Sequence, residues 1–194
     1  MSEYIDVQEL SARLAVAALP GLVSVYLFFA RSCTTPALTL LIVSSFLLHL
    51  TMAAADPFLH PWDERFHALV AKHMMAEPFR PMLRLDPILP YDLEAWCCNH
   101  IWVHKQPLFL WQMVLSMKVF GVSEVAVRLP SAVMGALGTL LVYGIGRYWS
   151  KSREVGFTAA LLFGFSRYHL ELTAGRYNLD HNDVAFAFYV TAGI

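Results

Sequence analysis

The chain has 194 residues, of which 57% are hydrophobic and 15% are charged, and its mean hydropathy is +0.50. This composition excludes an ordinary soluble domain and favours an integral membrane protein. The formal net charge of −1 gives no reason to predict nucleic acid as a partner. Three cysteines (Cys33, Cys97 and Cys98) provide no disulfide framework, and we predict that they are free thiols.

Five apolar segments are candidates for membrane spans, because about 18 apolar residues are enough to cross a bilayer core of roughly 30 Å. These segments are 14–30, 36–55, 129–149, 155–172 and 184–194. The last one runs into the C-terminus without a polar cap, so we expect residues 1–194 to be the N-terminal part of a transmembrane domain in a longer protein. The predicted fold is all-α and polytopic. The acidic leader before residue 14 does not resemble a cleaved signal peptide.

Positive residues predict the orientation of the chain in the membrane. One short loop is bracketed by Arg147, Lys151 and Arg153. The positive-inside rule places this loop in the cytoplasm, and counting spans from it places residues 56–128 outside. The count requires that residues 107–121, which are few for a span and include Lys118, lie in the interface. The alternative is a short true span there, which would reverse the orientation of everything downstream.

The predicted external loop at 56–128 is too long for a passive connector. Within it, residues 64–75 carry apolar side chains three and four positions apart, which predicts a helix with one apolar face. Prolines between residues 78 and 90 favour an extended loop over a helix across 76–104. We therefore predict two interface helices in this loop, at 64–75 and 107–121.

A carboxylate pair, Asp63 and Glu64, stands where the second apolar segment gives way to the amphipathic helix. An acid at a helix start satisfies free backbone N–H groups and suits the helix dipole, so capping explains the pair without any catalysis. A cap also fixes the position of a carboxylate, and the two interpretations are compatible. We predict Asp63 and Glu64 as candidate catalytic residues at the membrane surface.

His104 and Lys105 form a second polar cluster, at the aqueous end of the predicted helix 107–121. An ammonium group at this depth is able to meet a phosphate, although snorkelling towards lipid headgroups explains such a lysine equally simply. The histidines between residues 60 and 104 match no metal-ligand spacing, so ordinary interface histidines are the better interpretation and we predict no metal ligands.

The third polar cluster runs from Arg176 to Asp183 and includes Asp180, on the same predicted outer side as Asp63. Asp183 stands at a helix start, where capping again explains an acid. Arg167, His169 and Glu171 lie in the outer third of an apolar segment, where ionisable groups usually face a cavity or one another. Arg167 and Glu171 are four residues apart, so a simple ion pair is the alternative.

Taken in order, these motifs resemble a known family. They are Trp62-Asp63-Glu64, the K-x-P-L-x-x-W stretch from Lys105 to Trp111, the F-G-x-S-E-x-x-x-R-L-P-S stretch from Phe120 to Ser131, the basic loop, and an Arg followed closely by an Asp. The order resembles the membrane glycosyltransferases with the C-type fold. Within them it is closest to the protein mannosyltransferase-like and aminoarabinose-transferase-like group, and the resemblance covers roughly residues 36–194.

The resemblance implies an enzyme that transfers a sugar from a polyprenyl-phosphate carrier to a lipid, glycan or protein acceptor, by inverting displacement on the outer face. Asp63 matches the acidic residue expected to act as general base. Lys105 matches the basic residue expected near the carrier phosphate. The second acidic position matches either Asp180 or Asp183. Further candidates for binding the substrate are Arg176, Arg167 and His104.

No certain cofactor is implied, and a divalent metal stays open. We expect a multi-pass protein of a bacterial plasma membrane with its active site facing outward. Two departures from the family pattern are the extra segment at 14–30 and Gln106, where many relatives have Pro. Two other classes stay open. A transporter is favoured by the polar belt of Arg167, His169 and Glu171, and a non-catalytic membrane subunit is compatible with an incomplete chain.

Overall fold

The computed structural model describes residues 6–94, 99–176 and 180–194. Within these ranges the chain forms eight helices: α1 (Val7–Phe29), α2 (Thr34–Ala53), α3 (Asp63–Met74), α4 (Pro107–Phe120), α5 (Glu124–Ser150), α6 (Arg153–Gly164), α7 (Arg167–Thr173) and α8 (Asn182–Ala192). The same residues contain no strand, and their one β contact is an isolated bridge between Met82 and Ile101. The predicted all-α fold is confirmed.

Three helices, α1, α2 and α5, are long and apolar enough to cross a membrane. They contain most of the first three predicted segments. α4 has 14 residues, which is short for a span, and its place in the interface stays a prediction. The predicted segment at 184–194 belongs to α8, which has 11 residues. That residues 1–194 form the N-terminal part of a larger transmembrane domain stays a prediction.

The apolar segment at 155–172 differs from the single span that its hydropathy predicted, because it forms two helices. α6 ends at Gly164, and Ser166 takes an extended conformation (φ −65°, ψ 117°) before α7 begins. Gly164 lies close to α5 and α2. A Cβ on this glycine would come within 3.0 Å of the Thr139 hydroxyl and 3.2 Å of the Ser45 hydroxyl. The end of α6 therefore coincides with a glycine that packs tightly against two neighbouring helices, and Ser166 is the N-cap of α7.

The two N-terminal helices are joined by buried hydroxyl groups. Ser24 in α1 donates a hydrogen bond to the carbonyl of Ala37 in α2 (2.6 Å), and Ser44 in α2 donates to the carbonyl of Ala17 in α1 (2.7 Å). Such small polar residues let helix backbones approach closely, which is common between helices in membranes. α1 and α2 therefore form a tight pair, and α5 and α6 pack beside it.

A hydrophobic core lies at the other side of α5, where it holds together the elements that carry the predicted site. Met74 of α3, Leu110 of α4, Val127 of α5 and Ala185 of α8 are buried in it, together with Trp102 from the long loop (residues 75–106). Of the apolar face predicted for residues 64–75, Val70 and Met74 enter this core and Phe66 packs against it, whereas Leu69 is exposed. Burial of these side chains fixes the starts of α3, α4 and α8 relative to one another.

The motif from Phe120 to Ser131 forms the turn between α4 and α5. Gly121 ends α4 with a positive φ of 84°, a conformation that L side chains rarely adopt. Ser123 then caps α5, because its hydroxyl accepts a hydrogen bond from the backbone N–H of Ala126 (3.2 Å). The glycine and the serine of the motif thus direct the chain into α5, which places Arg128 and Ser131 against the polar interior.

Candidate active site

Glu64 and Arg128 form a fully buried ion pair between α3 and α5. Arg128 Nε lies 2.6 Å from Glu64 Oε1 and Arg128 Nη2 lies 3.1 Å from Glu64 Oε2, so the two groups meet at two points. The same guanidinium donates to the carbonyls of Ala53 (3.1 Å), Asp56 (2.6 Å) and Phe58 (2.8 Å). Because both charges are paired and hydrogen-bonded, the pair ties the end of α2 to α3 and α5.

Glu64 is also held by its other neighbours. Its Oε2 accepts the backbone N–H of His60 (2.6 Å), and its Oε1 lies 3.9 Å from Nε2 of His181. Gly175, with a positive φ of 63°, lies so close that an added Cβ would come within 2.7 Å of the carboxylate. Glu64 is completely buried. This environment favours a structural role for Glu64 over the catalytic role that the sequence predicted.

His67 and Asp180 form a second buried pair, between α3 and the segment that leads into α8. His67 Nδ1 lies 3.3 Å from Asp180 Oδ2, and Asp180 Oδ1 accepts the backbone N–H of Asn182 (3.1 Å). Burial acts to raise the pKa of Asp180. The contact with His67, the charges of His181 and His67 and the Asn182 amide outweigh burial and lower this pKa to about 2. Asp180 is therefore a firmly ionised group that holds His67.

His181 is fixed by the last residue of the 120–131 motif. The Ser131 hydroxyl lies 2.9 Å from His181 Nδ1 and donates to the His181 carbonyl at 2.7 Å. Because a hydroxyl has one proton, this arrangement assigns the proton between Ser131 and the ring to Nδ1 of His181. Burial lowers the pKa of His181, although the charges of Asp180 and Glu64 act to raise it. Ser131 thus positions the chain at the start of α8.

An open pocket of about 530 Å³ lies beside these buried pairs, and we call it the site pocket. Lys105 and Asp183 both line it. The other lining residues are Gln106, Leu108, Phe109, Asn182, Phe186 and Tyr189. The helices α4 and α8 both begin at this pocket, so the positive ends of two helix dipoles are directed towards it.

Asp183 is the acidic residue that opens onto the site pocket. It is exposed and is the second residue of α8, whose N-cap is His181, so the predicted capping position is off by two residues. Burial raises the pKa of Asp183, and the charges of Asp180 and Asp63 raise it further, whereas Lys105 acts to lower it. Three predicted site residues, Asp180, Asp63 and Lys105, therefore lie near enough to Asp183 to change its pKa.

Asp63 is the first residue of α3 and is half-buried. The N-cap of this helix is Trp62, without a side-chain capping bond, so Asp63 is not the cap that the alternative interpretation required. It lies four residues before His67, on the same face of α3. The structure thus brings Asp63, Asp180, Asp183 and Lys105 into one neighbourhood, from three separate stretches of the chain.

The remaining predicted binding residues lie elsewhere. Arg167 is highly exposed, and its Nε lies 3.7 Å from Glu171 Oε1, as the simple ion-pair alternative predicted. Arg176 Nη1 lies 3.9 Å from the other oxygen of Glu171. Neither arginine lines the site pocket. His104 lies against Trp102, with ring centroids 4.6 Å apart, beside the neighbouring pocket described below. Cys97 and Cys98 lie outside the described residues.

Sequence reasoning missed four residues of this site: His67, Arg128, Ser131 and His181. Arg128 and Ser131 were present as letters of the 120–131 motif, but their partners are more than 45 positions away and could not be assigned. His67 carried one usable signal, its position one helical turn after Asp63. Among the residues that the structure describes, no group of three or more His, Cys, Asp or Glu side chains is arranged to hold a metal ion.

Three long apolar helices, together with a pocket of acidic and basic side chains at the starts of the two shorter helices α4 and α8, define a polytopic membrane protein with a polar site. Residues 104–192 match the family model described as dolichyl-phosphate-mannose-protein mannosyltransferase. This match agrees with the family resemblance over slightly less than half of the chain. It includes Lys105, Asp180 and Asp183 but not Asp63. No curated protein and no solved structure matches the chain.

Proposed function

We propose that the protein transfers a sugar from a polyprenyl-phosphate carrier to an acceptor hydroxyl at the outer surface of a membrane. The observation that carries this proposal is the site pocket, where Lys105 faces the same space as Asp183 and two helices begin. A cationic side chain and two helix N-termini suit a phosphate group. The Asp183 carboxylate in the same pocket, with Asp63 nearby, suits a reaction that removes a proton.

Lys105 is the residue that we assign to the carrier phosphate. As the sugar leaves the carrier, negative charge grows on the phosphate oxygen, and a preorganised cation stabilises that charge. Pro107 begins α4, so the chain around Lys105 and Gln106 is held against a fixed helix end. Leu108 and Phe109 of the first turn of α4 line the same pocket, so the positive end of this helix dipole adds to the potential there.

An apolar groove of about 510 Å³ lies between α4, α5 and α8 and shares Tyr189 with the site pocket. Tyr189 lines both spaces, and its hydroxyl donates to the Gln112 side chain (2.8 Å). Most of the groove consists of apolar side chains such as Leu115, Val133 and Phe188. A polyprenyl chain fits this surface, since the phosphate end reaches Lys105 while the tail stays among apolar residues.

In the proposed reaction, the acceptor oxygen attacks the anomeric carbon while the bond from that carbon to the phosphate oxygen breaks. The bonding electrons leave with polyprenyl phosphate, and the acceptor proton moves to Asp63. Asp183 faces the pocket as the second acid. Asp180, with its low pKa, holds His67 instead of taking a proton. A single displacement of this kind inverts the anomeric configuration and forms no covalent enzyme intermediate.

The proposal is tested by sugar transfer from a polyprenyl-phosphate donor to membrane acceptors, using the full-length protein in membranes. We expect Asp63→Asn to lower turnover by about 100-fold or more, since general-base catalysis contributes that much, with donor binding retained. Asp86→Asn, at an exposed carboxylate of the long loop, serves as the matched control and keeps turnover. Unchanged turnover in Asp63→Asn would remove Asp63 from the chemistry and leave Asp183 as the acid to examine.

A second pair of variants tests the phosphate assignment. Lys105→Gln should raise the donor KM by about 10- to 100-fold, because a charge-assisted contact with phosphate is lost. Lys118→Gln removes an equal charge from an exposed position of the same helix region and should leave the donor KM unchanged. Equal effects of the two variants would mean that Lys105 contributes only general surface charge.

The transporter alternative has less support from the geometry. The polar belt that favoured it forms local contacts, with Arg167 and Arg176 beside Glu171. His169 is packed edge-on against His49, with ring centroids 5.2 Å apart. These contacts pair the charges of Arg167, Arg176 and Glu171 with one another.

A further inference from the structure

A second pocket, of about 460 Å³, lies on the other side of Lys105 and Gln106, and we call it the aromatic pocket. Its lining includes Phe79, Trp102, His104 and Trp111, in addition to these two shared residues. The size is in the range of small-molecule sites, and a mostly apolar wall with a few polar groups is typical of them. The reaction described above uses none of its aromatic side chains.

The outer part of this pocket consists of two aromatic side chains on separate segments. Phe79, in the long loop, is 87% exposed and lies edge-on to Trp111 of α4, with ring centroids 5.8 Å apart. The Trp111 indole N–H donates to the carbonyl of Pro78 (2.7 Å), which fixes the loop against the helix. An exposed phenylalanine that is held in place next to a tryptophan offers rigid apolar surface to a ligand.

The inner part contains an unsatisfied donor. Trp102 is only 4% exposed, and its indole N–H is buried without a hydrogen-bond acceptor among the described residues. Leaving a buried donor unpaired is costly, and most buried indole N–H groups find a partner. The ring of His104 lies 4.6 Å from Trp102 and adds a further polar edge to the same wall. The buried indole N–H thus belongs to a closed inner wall, and Gln106 and Lys105 are the polar side chains that line the open part of the pocket.

We propose that the aromatic pocket binds a pyranose ring of the acceptor, so that the acceptor is a glycan rather than a bare lipid or peptide. A pyranose has a flat C–H face that packs on aromatic rings and a rim of hydroxyl groups that pair with amide and ammonium groups. Both halves of this chemistry are present in the pocket, in Phe79 and Trp111 and in Gln106 and Lys105. A polyprenyl tail would place hydrocarbon against the Lys105 ammonium and the Gln106 amide.

The assignment of the aromatic pocket to the acceptor follows from the order of three spaces: the apolar groove, the site pocket and the aromatic pocket. Tyr189 joins the apolar groove to the site pocket, and Lys105 joins the site pocket to the aromatic pocket. With the carrier in the first two spaces, the aromatic pocket is the one that remains for the sugar that receives the transfer. The assignment of the bound sugar as the acceptor rests on the proposed function. The binding of a carbohydrate in this pocket does not depend on it.

The test combines direct binding with kinetics on the full-length protein. Saturation-transfer NMR with the methyl glycosides of mannose, glucose and galactose should detect at least one bound ring in the wild type. Phe79→Ala should abolish that signal, whereas Ile88→Ala, at a 98% exposed apolar position of the same loop, should keep it. In transfer assays Phe79→Ala should raise the acceptor KM by about tenfold and leave the donor KM unchanged.

The outcomes separate the two proposals. Sugar binding that depends on Phe79, in a protein without transfer activity, would support the carbohydrate pocket and contradict the transferase. Transfer activity with no bound glycoside, or with binding that Phe79→Ala leaves unchanged, would overturn the carbohydrate pocket alone. A rise in the donor KM in place of the acceptor KM would overturn the assignment to the acceptor. Binding of a proline-rich peptide in the absence of glycoside binding would identify a peptide site and contradict the proposal.

Discussion

The acidic side chains near the site divide into two kinds. Glu64 and Asp180 have their charges paired inside the protein, with Arg128 and His67 as partners. Asp183 is open to the site pocket, and Asp63 is half-buried and near enough to Asp183 for its charge to raise the pKa of that residue. This division separates residues that hold the site together from residues that are able to meet a substrate. Substitution of Glu64 or Asp180 should therefore lower the stability of the protein. Substitution of Asp63 or Asp183 should lower its turnover.

The buried pair of Glu64 and Arg128 should dominate local stability. Arg128→Met would leave Glu64 buried and unpaired, so we expect the free energy of unfolding to fall by about 3–5 kcal/mol. Arg167→Met removes an exposed arginine from a pair with Glu171, which is expected to cost less than about 1 kcal/mol. Chemical unfolding in detergent measures both. If the two variants lose equal stability, the buried pair has no special structural role.

The low pKa of Asp180 predicts a pH dependence of stability. A carboxyl group whose pKa is lower in the folded state stabilises the protein above its unfolded pKa, near 4. That contribution, about 2 kcal/mol for a shift of this size, is lost as the pH falls from about 4 to about 2. Unfolding at pH 5 and pH 2.5 should show the loss in the wild type and a smaller one in Asp180→Asn. An identical loss in both would assign the effect to other carboxylates.

At the scale of elements, the sequence predicted helices best where an apolar face or the length of an apolar run defined the helix. The amphipathic helix predicted at 64–75 and the short helix at 107–121 match α3 and α4 within one or two residues. The break in 155–172 escaped prediction because the stretch contains no proline, and Gly164, Ser166 and Arg167 stand within an otherwise apolar run. Its position is associated with Gly164 packing on other helices, which hydropathy along the chain cannot represent.

The contact between α5 and α6 offers a test of packing between elements. A Cβ on Gly156 in α6 would lie 2.7 Å from the backbone carbonyl of Tyr143 in α5, whereas a Cβ on Gly144 would meet nothing within 4 Å. We expect Gly156→Ala to destabilise the protein by about 1–3 kcal/mol through overpacking. Gly144→Ala should be neutral or stabilising by up to about 1 kcal/mol, because alanine favours helix. Thermal unfolding of the two variants compares them directly, and equal stability would mean that α5 and α6 are free to move apart.

At the scale of the whole molecule, the site is assembled from three stretches that are distant in sequence: the start of α3, the end of the long loop and the start of α8. The sequence showed the acids and Lys105, since each stands at a helix start or a segment boundary. It did not show which acid is paired inside the protein and which faces the site pocket. That difference depends on Arg128, Ser131 and His67, whose partners are distant in the sequence or in another helix. Pairing of this kind depends on the tertiary structure and leaves no local pattern.

The arrangement of charges along the helices predicts the orientation of the site. Arg128 and Glu64 lie where α2 ends and α5 begins, while Arg153 lies at the other end, where its Nη1 donates to the Thr34 hydroxyl (3.4 Å). The basic loop and the site are therefore at opposite ends of α2 and α5. Because positive loops stay in the cytoplasm, the site should face outward.

Cysteine labelling in intact cells tests this orientation with a membrane-impermeant maleimide. In a protein with Cys97 and Cys98 replaced by Ser, the exposed Cys33 lies at the basic end and should be labelled only after permeabilisation. Ile88→Cys in the same background, with Cys33 also replaced, should be labelled in intact cells, because this position is exposed in the long loop. The reverse pattern would place the site in the cytoplasm, where the sugar donor would have to be a carrier lipid of the inner leaflet, and would contradict an outward-facing transferase.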